Sequence, residues 1–115
     1  MKMAGHVINP DMTPDRWREV DSVIALLAKG EIPPAQRLKT AYGWLHVNIE
    51  RRMDRVNDFA DLAISRALFH ELLDWPDSKP VTTPPDYLLG QFEWARHELE
   101  RIESLIAAEP KERGE

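Results

Sequence analysis

Residues 88–106 read LLGQFEWARHELERIESLI, and this stretch decides the fold. Leu88, Phe92, Ala95, Leu99, Ile102 and Ile106 recur in alternating steps of four and three. A helix turns by about 100° per residue, so these steps gather all six side chains into one apolar stripe. The start of the helix is also written in the sequence. Thr83 is placed to cap free backbone N–H groups, and Asp86 follows three residues later, as in a capping box. The spacing predicts a helix over 84–108.

Upstream, DWPDSKPVTTPP at 74–85 reads as a loop, because Pro76, Pro80, Pro84 and Pro85 interrupt a polar run. Before it lies a long helical pattern. Leu38, Tyr42, Leu45, Ile49, Met53, Val56, Ala60 and Ala63 form one stripe. Leu62, Phe69, Leu72 and Leu73 then fall nearly opposite it, which predicts a kink or a break near Asn57-Asp58, with Asn57 as a cap. Gly43 lies inside this pattern and weakens a helix by about 1 kcal/mol relative to alanine. The first helix opens at TPDRW, 13–17. Thr13 caps, Pro14 suits the first helical position, and Asp15 suits the positive end of the dipole. Trp17, Val20, Ile24 and Leu27 supply its apolar face; Gly30 ends it and Pro33-Pro34 prevents its resumption.

No strand-like alternation competes. The expected fold is all-α: an antiparallel bundle of three or four helices near 14–29, 34–56, 58–74 and 84–108, its middle helix long and kinked or split. Residues 1–12 read as a flexible arm, 13–108 as the bundle domain and 109–115 as a frayed tail.

A chain of 115 residues is one domain, and 43% hydrophobic with 30% charged residues suits a packed core. Cysteine is absent, which excludes disulfides and thiolate metal sites. The net charge of −5 makes the chain a poor general binder of phosphate backbones. No cationic start leads into an apolar core, and no apolar run approaches the roughly 20 residues that span a bilayer, so a cytoplasmic setting is expected. Gly-rich phosphate loops, nucleophile elbows and His-Glu-x-x-His motifs are missing, so an enzyme is not the leading expectation, and no cofactor is implied.

Three functional expectations remain. The favoured one is a self-associating protein-interaction module. Tyr87, Trp94 and Arg101 repeat every seven residues, and Leu105 completes a second stripe beside the apolar face. Tyr, Trp and Arg are the residue types that most often anchor interfaces. The second is DNA binding through Arg51, Arg52 and Arg55. Gly30, Ile32, Pro34 and Leu38 match G-x-I-x-P-x-x-x-L, which resembles the opening of bacterial winged-helix regulators, with Gly43 in the turn of a helix-turn-helix. The alanine of that pattern before the turn and its Gly-rich wing are missing, so the chain is not assigned to the family. The third is a metal-dependent enzyme using His46, Glu50 and His70, a histidine–carboxylate set on two helical segments.

Overall fold

The computed structural model describes residues 12–56 and 62–108. The described residues form four helices: α1 (Pro14–Ala28), α2 (Ala35–Val56), α3 (Leu62–Leu73) and α4 (Pro85–Ala108). Among the described residues there is no strand.

The helix ends follow local chemistry. The Thr13 side chain accepts from the Arg16 backbone N–H at 3.2 Å, and Pro14 occupies the first turn of α1. At the other end Gly30 has φ 83°, the left-handed conformation that glycine adopts without a Cβ penalty. The Glu31 N–H then reaches Leu26 O and the Gly30 N–H reaches Leu27 O, each at 2.9 Å. This 6→1 and 5→2 pair is a Schellman cap, which satisfies the last carbonyls of α1. The start of α4 departs from expectation. Pro84 O accepts the first backbone bonds, from Tyr87 and Leu88, while the Thr83 hydroxyl turns away to donate to Glu71 on α3 at 3.3 Å.

The core runs between α2 and α4, with α1 and α3 packed on opposite sides. The two outer helices make no contact with each other among the described residues. Val20, Val23, Leu27, Leu38, Tyr42, Leu45, Ile49, Leu68, Leu72, Leu88, Phe92, Leu99 and Ile102 are all buried. The Tyr42 and Phe92 rings meet edge-on with centroids 5.1 Å apart, joining α2 to α4. Contacts order the directions of neighbours. Arg16 lies over Trp44 while Arg37 reaches Glu19 and Ser22, so α1 and α2 run oppositely. Ser65 meets His46 while Lys39 reaches Asp77 beyond α3, so the chain again reverses between α2 and α3. The break expected at Asn57-Asp58 lies outside the described residues, as do residues 1–11 of the expected arm and residues 109–115 of the tail. Met12 packs against the core.

Two charged clasps hold α1. Arg37 donates to Glu19 at 2.6 Å and to Ser22 at 2.7 Å. From α4, Arg96 donates to both oxygens of Asp21, at 2.6 and 3.2 Å, and covers the Trp17 ring at 5.0 Å. The latter combines a two-point carboxylate contact with a cation–π contact.

α2 passes through Gly43 without interruption, so the helix-turn-helix expectation of a turn there is overturned. The glycine has a packing reason instead. A Cβ at position 43 would stand 3.2 Å from Phe69 Cε1, so the missing side chain lets α3 approach. Gly90 on α4 is different: nothing lies within 4 Å of where its Cβ would be. Gly90→Ala is therefore expected to stabilise the isolated chain by about 1 kcal/mol, the helix-propensity gain. Gly43→Ala should gain clearly less, because Phe69 must yield. Urea unfolding of both variants at low protein concentration checks this; equal gains would contradict the close approach of Phe69.

Candidate functional site

Two places carry chemistry: a polar knot between α2 and α3, and the uncovered flank of α4.

The knot is built from Tyr42, His46, Ser65 and Glu50. Ser65 occupies the apolar stripe of α3 between Leu62 and Leu68 and is fully buried. The Tyr42 hydroxyl donates to Ser65 Oγ at 3.3 Å, and His46 Nδ1 lies 2.7 Å from the same oxygen. Both bonds have a donor if Tyr42 gives its proton to Ser65 and Ser65 gives its own to Nδ1. The imidazole is then the Nε2–H tautomer, and its Nε2 faces Glu50 at 3.7 Å. Glu50 also accepts from Arg66 of α3 at 3.1 Å, and Phe69 packs on the imidazole at 5.0 Å. His46 is buried rather than at a wet boundary because α3 lies over it.

Burial pushes the Tyr42 phenol up to about 12 against the pull of its Ser65 bond, so it remains a donor at any ordinary pH. His46 is pushed below its usual value, chiefly by burial; Glu50 opposes this, and Arg66 and His70 add to it. The order Ser–His–Glu resembles a nucleophile with its base. Yet Ser65 Oγ is sealed in the core and already engaged twice, so no substrate can reach it. The knot fastens α3 to α2.

That arrangement sets a pH dependence. The folded His46 pKa lies below the unfolded one, near 6.5. The unfolded chain therefore binds the proton more readily, and stability rises with pH across the interval between the two values. Full stability is expected above the unfolded value, with loss as pH falls below it and levelling once the folded value is passed. Urea midpoints measured down from about pH 7 should show this loss in the wild type and less of it in His46→Gln. Parallel pH profiles for the two proteins would contradict the assignment.

The expected metal set does not assemble. His46 and Glu50 adjoin, but His70 is exposed, and among the described residues no three His, Asp or Glu side chains form a group able to hold a metal.

Of the arginines expected to bind DNA, Arg52 is engaged within the chain. Arg52 is half-buried, bonded to the Asn48 side chain, and lies 3.7 Å from Glu103 on α4. Arg51 is exposed, and the side chain of Arg55 lies outside the described residues. Arg37, near the start of α2, and Arg66, on α3, are engaged with Glu19 and Glu50.

On α4 the sequence-predicted stripe keeps its place. Tyr87 is 47% and Leu105 45% exposed, at the two ends of one flank. Trp94 between them is half-buried against the core, and Arg101 makes a two-point contact with Glu98, at 2.7 and 3.4 Å. This flank lies about half a turn from Arg96, the residue that meets α1, so the stripe does not serve to widen the core against α1. Near its C-terminal end Arg101, Ser104 and Leu105 border a shallow surface groove. Trp17 and Trp44 each lie under an arginine, and Trp75 donates to Lys79 O at 3.2 Å. Among the described residues Trp94 is the tryptophan with neither kind of partner.

Sequence reasoning missed Ser65 and Asn48, both fully buried. The signal for Ser65 was present: a hydroxyl set inside an apolar period. Asn48 gave none; its side chain donates to the Trp44 carbonyl at 2.7 Å and accepts from Arg52, both one turn away on α2.

No known protein family matches this chain, and neither a curated protein nor a solved structure is similar to it. No helix among the described residues is long and apolar enough to cross a membrane.

Proposed function

We propose that this chain is a small cytoplasmic protein-interaction module without catalytic activity, which self-associates through the Tyr87/Trp94/Leu105 flank of α4. The finer architecture goes with it: an antiparallel four-helix bundle, split between α2 and α3, that holds this flank outward. One observation carries the reading. Two large apolar side chains, Tyr87 and Leu105, stand nearly half exposed on the same flank, with a half-buried tryptophan between them and a carboxylate-held arginine beside it. Aromatic anchors with a positioned arginine are the composition of interface centres. The buried serine argues against the knot as an active site, and the engaged arginines argue against the DNA alternative.

Sedimentation equilibrium from low to high micromolar concentration tests it. A mass above that of one chain is expected, and Tyr87→Glu or Leu105→Glu should shift the protein toward monomer while leaving its helix content unchanged. A monomer at high micromolar concentration, with Trp94 as protected from quenchers as a core residue, would remove self-association.

A further inference from the structure

α3 is the least anchored of the four helices. It packs mainly on α2, lightly on α4 and, among the described residues, not on α1. The other three helices all touch one another, and α3 adds only Leu68 and Leu72 to the buried apolar side chains. An element attached in this way opens by itself at a lower free-energy cost than the whole fold.

The groups around His46 divide along the same line. Ser65 and Phe69, which cover the imidazole, belong to α3. Arg66 and His70, whose positive charges oppose a proton on the ring, belong to α3 as well. Glu50, which favours that proton, stands with His46 on α2, and Arg66 already engages it at 3.1 Å. Tyr42, the other titratable side chain bonded into the knot, keeps its proton. A proton on Nδ1 also reverses a bond. The neutral ring accepts from Ser65, whereas the charged ring donates. Ser65 Oγ then faces two donors, and its own proton must leave the line between Tyr42 and His46.

We infer that α3 is a proton-operated latch: when His46 takes up a proton, α3 lifts from α2 as one unit while α1, α2 and α4 stay packed. The device is separate from the α4 flank proposed for self-association. Lifting α3 gives the imidazolium access to water and carries Ser65, Arg66, Phe69 and His70 away together, while Glu50 stays beside it. Unfolding the other helices would add nothing to this relief. The lifted state displays Leu68, Phe69 and Leu72, the line that α3 turns inward when closed. The sign follows from burial, which lowers the His46 pKa in the closed state only. The closed state is therefore favoured at high pH, and the lifted state gains as pH falls below about 6.5.

Amide hydrogen exchange between about pH 7.5 and about pH 5.5, above the range where ordinary carboxylates titrate, tests the latch. Each rate is divided by the free-chain rate at the same pH. Amides of residues 65–72 on α3 should be less protected than those of residues 92–102 on α4. Their protection should respond weakly to dilute urea, because lifting one short helix exposes little surface. As pH falls, α3 protection should drop by about tenfold for each unit that separates the closed and lifted pKa values of His46. His46→Gln should abolish this drop. Arg66→Gln, an exposed substitution that frees Glu50 for His46, should make it smaller. If the α3 amides share the protection and urea response of α4, the helix does not open alone and the latch is overturned. If α3 opens alone but without pH dependence, or with the same dependence in His46→Gln, His46 is not its trigger and the latch is equally overturned.

Discussion

Tyr42→Ala is expected to lower the unfolding free energy by about 4 kcal/mol, the range of large aromatic truncations in close-packed cores. Tyr42 has no exposed surface, its ring meets Phe92 of α4, and its hydroxyl meets Ser65 of α3. From α2 it therefore touches both α3 and α4. A loss of that size removes much of the roughly 5–15 kcal/mol that keeps a domain folded, so the variant should be partly unfolded at moderate temperature. Tyr42→Phe separates the two contributions. It keeps the ring and gives up one donor to Ser65, so about 1 kcal/mol is expected. Urea unfolding followed by far-UV circular dichroism measures both. A Tyr42→Ala cost close to that of Tyr42→Phe would mean that the ring is not the keystone between α2 and α4.

The stripes that meet at this ring were legible in the sequence to different degrees. On α4, Leu88, Phe92, Ala95, Leu99 and Ile102 are all buried, as their spacing predicts, because this helix lies on the central line of the core and presents one face to it. α3 was harder. Leu73 was expected in its apolar stripe but is 47% exposed, and the buried set is Ser65, Leu68 and Leu72. A short outer helix buries a narrow line, and which line depends on where it docks, a fact outside its own sequence. The same limit governed His46. Its position beside the Tyr42–Ile49 stripe gave it a boundary place, and only the docking of α3 turned that boundary into interior. Ion pairs show a related limit. No carboxylate stands three or four residues from Arg37 or Arg52 in the sequence, and their partners, Glu19 on α1 and Glu103 on α4, come from other helices. Periodicity fixes a face, not the helix that will stand opposite it. The Tyr87–Leu105 flank was legible because it needed only the phase of α4. A sequence period looks the same for a core neighbour and for a second copy, so the period alone names no occupant for it.

Ser65→Ala should cost about 2–4 kcal/mol, far more than one oxygen atom suggests. The substitution opens almost no cavity, so the cost comes from what it strands. Tyr42 loses its acceptor and His46 Nδ1 loses the partner at 2.7 Å, and both groups are buried. Water cannot replace the lost partner without entering the core, so each stranded group carries its desolvation penalty. The Tyr42→Phe background tests this directly. There the stranded donor no longer exists, and Ser65→Ala should cost about 1 kcal/mol less than in the wild type, a coupling typical of directly bonded groups. His46→Leu should show the same kind of relief, because it removes the other stranded group. Strictly additive costs among the three variants would show that the hydroxyls and the imidazole do not act as one clasp. A coupled result would mean that α3 is held on α2 by bonds with direction as well as by apolar contact. Such bonds tolerate one rotation of α3 about its axis, the rotation that brings Ser65 inward and leaves Ile64 and Leu73 exposed.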